Sequence, residues 1–185
     1  MADNTPSYAA NIVVRAFLTK FTADHLNEVF GHRLSDGEYK RGPNKGVRKY
    51  GKDEWECIKE KFGFSCAYCG EPETPTQKLT VDHLEMFNRS QCGLQHPGNV
   101  VPSCSSCNSS RRKPGNSYSD WDEQLRKKSG NDYEDRKKDI TKHIESYGKY
   151  NKYISSTKFD IDTIRKITQT LYDEVISAYD KAIDS

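Results

Sequence analysis

Residues Cys66 to Pro114 read CAYCGEPETPTQKLTVDHLEMFNRSQCGLQHPGNVVPSCSSCNSSRRKP, and this stretch decides the fold. Cys66-Ala-Tyr-Cys69 and Cys104-Ser-Ser-Cys107 each set two thiolates across a tight turn, which is half of a tetrahedral zinc shell. Thirty-four residues separate the pairs. A metal held by all four would pin the start of the unit to the start of its last helix and make fold and site interdependent. Between the pairs, Lys78 to Asp82 alternates like a strand, Glu85 to Gly98 reads as loop, and Asn99 to Pro102 can pair back as a second strand. Cys104 to Lys113 can then open a helix, which completes a ββα unit. Cys57 and Cys92 have no partner at ligand spacing and read as small apolar fillers, with Cys92 open to a redox role.

The rest of the chain fits one domain with appendages. It has 185 residues, 34% hydrophobic, with eleven Tyr and a net charge of +2. So thin a supply of aliphatic side chains favours a metal, a disulfide or a partner subunit as a staple. There is no apolar run of the roughly 18 residues a membrane span needs, and the opening MADNTPSY lacks a secretory pattern. The expectation is a soluble, cytoplasmic protein with no membrane partner, in which paired cysteines bind metal rather than form disulfides.

Outside the ββα unit the pattern is helical. Ile12, Val13, Ala16, Phe17 and Phe21 recur at helical spacing. After a break, a second short helix from Thr22 carries Leu26, Val29 and Phe30. Residues 35–52 are rich in Gly, Lys and Arg and read as a basic loop. Asp53, with Glu56 as its capping-box partner, opens a helix that Gly63 ends. Ser119 caps another, Asp132 to Tyr147 a third, and Asp160 to Ile183 places Ile161, Ile164, Leu171 and Val175 on a seam interrupted by Thr168. The fold class is α+β, a mainly helical chain around the ββα core. Its segments divide at 1–52, 53–118 and 119–185.

The chemistry between the cysteine pairs lies in Val81-Asp82-His83, Asn99 and Asn108. The run Cys-x-x-Cys, Asp-His, Asn-Val-Val-Pro-Ser-Cys-x-x-Cys-Asn-Ser-Ser resembles the HNH (ββα-metal) endonucleases, in the subgroup with a four-cysteine zinc. The resemblance covers roughly residues 53–125. It implies that Asp82 ligates a catalytic divalent cation, with Asn108, standing where the family name implies His, as a second oxygen ligand. Hard oxygen donors suit Mg²⁺ or Mn²⁺. A phosphodiester needs an activated water, and neutral imidazole is suited to take its proton, so His83 is the expected general base. Asn99 is expected to hold the His83 ring by a hydrogen bond. The loop after His83 lacks the Pro-then-Gly-Gly spacing common in the family. His96 reads as a surface or substrate-contacting residue.

The substrate class this implies is double-stranded DNA. Arg111, Arg112 and Lys113, one turn after Asn108, would reach phosphates, while Lys40, Arg41, Lys45, Arg48 and Lys49 form a basic arm able to enter a groove. One such core cuts one strand, so a duplex cutter would act as a homodimer, with the 160–183 helix as one candidate interface. A type II restriction endonuclease is the first reading, with 5′-phosphate and 3′-hydroxyl products. A homing or resolvase-like nuclease is the next. A non-catalytic zinc-ribbon module would need the cysteines and basic loops but has no use for Asp82-His83 and Asn108.

Overall fold

The computed structural model describes residues 6–26, 28–30, 37–38, 48–50, 52–113, 117–147 and 161–183. Pro6, whose fixed φ suits a first helical turn, opens α1, Pro6–Leu26. Ala10, Val14 and Leu18 recur every four residues and are fully buried. The helix runs unbroken through Thr22, whose hydroxyl donates to the Leu18 carbonyl at 2.7 Å. The expected second helix is instead a strand, β1, Glu28–Phe30. It pairs in parallel with β3, Arg48–Tyr50, which pairs antiparallel with β2, Gly37–Glu38. Arg48 and Lys49 therefore lie on a strand rather than in a loop, because that stretch can complete the backbone hydrogen bonds of Val29 and Phe30. Lys40, Arg41 and Lys45 fall outside the described residues.

Helix α2, Lys52–Lys61, begins one residue before its expected cap, and Gly63 ends it at φ +59°. The ββα unit follows. Strand β4, Thr80–His83, pairs antiparallel with β5, Val100–Ser103, with Asp82 opposite Val101 and His83 opposite Val100. Helix α3 is shorter than expected, Ser105–Ser110. Arg112 and Lys113 leave it to form β6, which pairs with β7, Ser117–Tyr118. Asp120, rather than Ser119, caps α4, Trp121–Lys128, by accepting from the Asp122 amide at 2.7 Å. Then come α5, Tyr133–Ser146, and α6, Ile161–Ile183. On the surfaces of α4 and α5, Arg126 pairs with Asp122, Lys127 with Glu123 and Arg136 with Asp132. No helix among the described residues is long and apolar enough to cross a membrane.

Three apolar clusters hold these elements. The first packs Tyr68, Leu79, Leu84 and Val101 with the cysteines, Leu125 of α4 and Ile140 of α5. The second joins Val14 and Leu18 of α1 to Ile164 of α6 and to Cys92 and Leu94 of the loop after β4. Each fully buried leucine of this kind contributes about 2 kcal/mol. The seam of α6 thus turns toward α1 of the same chain. Its interruption has a reason: Thr168 is fully buried, donates to the Arg89 carbonyl at 3.2 Å and lies 3.6 Å from Cys92 Sγ. The third cluster seats Phe30 and Ile58 under Val100. Cys92 is the buried filler expected, whereas Cys57 is exposed on α2.

Candidate active site

Cys66, Cys69, Cys104 and Cys107 place their sulfurs within 4.8 Å of one another. Cys69 Sγ and Cys104 Sγ are 3.8 Å apart, the edge of a zinc tetrahedron with bonds of about 2.3 Å. Gly70 at φ +79° turns the chain after the first pair, and the Ala67 amide donates to the Pro102 carbonyl at 2.8 Å. That bond ties the turn to β5. A hydrogen bond from Cys107 holds the Cys66 thiol down at about 4, burial pushes Cys69 up to about 11, and Cys107 also goes up, chiefly through its bond to Cys66. Four crowded thiols cannot all ionise without a cation, and a dication relieves that conflict. The residues fit a structural zinc.

The same turn reaches the candidate site residues. Strand alternation sends Asp82 inward, where it is 2% exposed. Tyr68 donates its hydroxyl to Asp82 Oδ2 at 2.7 Å, and Arg111 Nη1 donates to the same oxygen at 2.8 Å. Burial pushes the Asp82 carboxyl up, and Arg111 and Tyr68 oppose that shift. The geometry favours an ionised pair, since guanidinium keeps its proton.

Arg111 corrects an expectation. It is fully buried, and its guanidinium also donates to the carbonyls of His83 (2.6 Å), Leu84 (2.8 Å) and Ser119 (3.0 and 3.2 Å). It clamps the end of β4 and is not presented to phosphate. Arg112 and Lys113 are exposed on β6, with Lys113 bridged to Glu123 at 2.8 Å.

His83 points to the other side of β4. Its Nε2 lies 2.9 Å from Gln95 Oε1; an amide oxygen there accepts from Nε2–H and leaves the basic lone pair on Nδ1. Phe87 stacks on the imidazole, centroids 5.2 Å apart. Asn99 does something other than expected. It is fully buried; its Oδ1 accepts from the Glu85 amide and its Nδ2 donates to the carbonyls of Glu85 and Leu94, all at 2.9 Å. A short side chain on that inward position reaches the loop backbone and staples its two ends, while Gln95 takes the place beside the ring. The Gln95 carbonyl in turn accepts from the Phe30 amide at 2.7 Å, so β1 helps to position it.

Asn108 Nδ2 donates to Thr80 Oγ1 at 3.1 Å and to the Val81 carbonyl at 3.2 Å. With both amide protons so held, Oδ1 is the atom left to face a ligand. Asp82, His83, Gln95 and Asn108 line one cavity of about 390 Å³, with Arg15, Phe87 and Tyr118 on its walls. The oxygens of Asp82 and Asn108 are a donor set that fits Mg²⁺ or Mn²⁺. His96, expected at the surface, is fully buried, and its Nδ1 accepts from the Gly98 amide at 3.1 Å, capping the turn before β5. His143 is structural, with Nε2 3.1 Å from the Pro97 carbonyl.

Gln95, Phe87 and Arg15 were not found from sequence. Gln95 and Phe87 sit in an irregular loop that no spacing rule covers, and Arg15 arrives from a helix some seventy residues away.

No curated protein and no solved structure gives a significant match to the chain. The family model described as HNH endonuclease matches residues 66–113, which hold both cysteine pairs, Asp82, His83, Asn99 and Asn108. The chain therefore carries an HNH endonuclease domain.

Proposed function

We propose that the protein is a metal-dependent DNA endonuclease that leaves 5′-phosphate and 3′-hydroxyl ends, and that it acts as a sequence-specific type II restriction enzyme. One observation carries the catalytic reading: an imidazole and a carboxylate from β4 and a carboxamide from α3 line a single cavity over the cysteine-pinned hairpin. A zinc-ribbon module needs no such convergence.

His83 takes a proton from the attacking water, the new oxygen–phosphorus bond forms, and the bond to the 3′ oxygen breaks in line with it. Gln95 and Phe87 fix the imidazole plane and tautomer, so the same nitrogen faces the water at each turnover. Asp82, oriented by Tyr68 and Arg111, and Asn108, oriented by Thr80 and Val81, would hold Mg²⁺ or Mn²⁺. When bound, that cation neutralises charge on the phosphate and leaving oxygen. The four cysteines would hold one structural zinc. Cutting both strands with one core per chain calls for a homodimer on a two-fold site. The inward-turned seam of α6 is a poor interface for it, and the exposed apolar residues among those described include Ile12 and Val13 of α1 and Ile167 of α6.

Plasmid and phage DNA incubated with Mg²⁺, Mn²⁺ or chelator test this reading. Discrete, metal-dependent bands are the expected result. A smear would remove the restriction assignment, and intact DNA under every metal would remove the nuclease.

A further inference from the structure

A second cavity of about 440 Å³ adjoins the first, sharing Arg15, Asn88 and Tyr118 with it. Its lining includes three arginines, Arg15, Arg89 and Arg112, and no Asp or Glu. In a chain whose acids and bases nearly balance, a groove of one sign leading into the candidate active site is a directed feature.

The arginines come from separate elements: Arg15 from α1, Arg89 from the loop after β4, and Arg112 from β6. The groove is also held in shape. The Arg89 guanidinium lies 3.7 Å over the Tyr172 ring of α6, and the Tyr172 hydroxyl donates to Ser7 Oγ at 3.1 Å. Arg15 sits 5.9 Å from the Phe87 ring that stacks on His83. Arg15 is exposed, and among the described residues it makes no ion pair.

We infer that this groove binds the sugar-phosphate backbone of the strand being cut, next to the scissile phosphate, with Arg15 at the junction and Arg89 and Arg112 farther along. The inference rests on the nuclease reading and extends it to α1 and α6, which lie outside the family match. It gives those helices a substrate-binding role besides packing. Guanidinium groups suit phosphate geometry, and tyrosine faces can support sugars or bases.

The test is affinity for fluorescein-labelled duplex DNA without added Mg²⁺ or Mn²⁺, from 50 to 200 mM salt, for wild type, Arg15→Gln, Arg112→Gln and Arg112→Glu. Loss of one phosphate contact lowers the slope of log affinity against log salt by about 0.9. The affinity deficit of each Gln variant should therefore be about threefold larger at 50 mM than at 200 mM salt, and that of Arg112→Glu larger still. With Mg²⁺ or Mn²⁺ added, Arg112→Gln should raise KM and leave kcat unchanged. Wild-type affinity and slope in all the variants would overturn the groove while leaving the nuclease intact. Weakened variants of a wild type that never cuts would support the groove and overturn the catalysis. A wild type that does not bind DNA would overturn both.

Discussion

Arg111→Met is predicted to be among the most destabilising single substitutions in the ββα unit. The guanidinium is fully buried and makes six contacts within 3.2 Å: Asp82 Oδ2, the Tyr68 hydroxyl, the carbonyls of His83 and Leu84, and the Ser119 carbonyl twice. Methionine fills much of the volume but leaves Asp82, 2% exposed, charged beside one hydroxyl donor. Breaking a buried pair by removing one partner costs about 3–5 kcal/mol. For a chain of this length that is a fall in Tm of roughly 10 °C. The double variant Arg111→Met, Asp82→Asn removes both charges and should recover more than half of the loss. Denaturant melts of zinc-saturated protein provide the measurement. A single variant within 1 kcal/mol of wild type, or a double variant no more stable than the single, would refute the idea that the pair is a buried clamp.

Three further outcomes follow from the geometry. Cys104→Ser should abolish binding of one equivalent of zinc and unfold the 66–113 region, because metal affinity at a four-thiolate site, about 10–16 kcal/mol, is also folding energy; zinc analysis with circular dichroism would show it. Burial pushes His143 down to about 4 from 6.5. The unfolded chain therefore takes that proton first, so stability is intact above pH 6.5 and falls by roughly 3 kcal/mol toward pH 4. His143→Gln should flatten this acid limb in melts at constant zinc content. Gln95→Leu should lower kcat about tenfold by releasing the His83 tautomer and should alter the acidic limb of the pH–rate profile; an unchanged profile would remove Gln95 from the site.

The hairpin and the cysteine cluster were legible because their signals are local. Two C-x-x-C turns, a period-2 run from Lys78 to Asp82 and a return strand from Asn99 to Pro102 require only short-range geometry. Long-range pairing was not. Val29 and Phe30 continue a helical apolar pattern, yet they pair with residues twenty positions on, and only tertiary contact decides that. Arg111 follows Asn108 by one turn and looks like a helix-end cation. Its fate depends on Tyr68, Asp82 and Ser119 converging on one spot. Asn99 was expected to hold the His83 ring. Its partners are loop backbone groups because the inward face of the strand end offers the amide those groups and puts Gln95 nearer the imidazole. The irregular spacing after His83 is explained by what the loop carries, since Cys92 and Leu94 anchor it to α1 and α6.

In the proposed mechanism His83 activates the water in a cavity shared with Asp82 and Asn108. The most direct test compares wild type with His83→Ala in single-turnover DNA cleavage with Mg²⁺ or Mn²⁺, after zinc content and melting have been matched. Loss of the base should lower the rate by at least about 10²-fold with DNA affinity preserved. A fully active His83→Ala protein would contradict it.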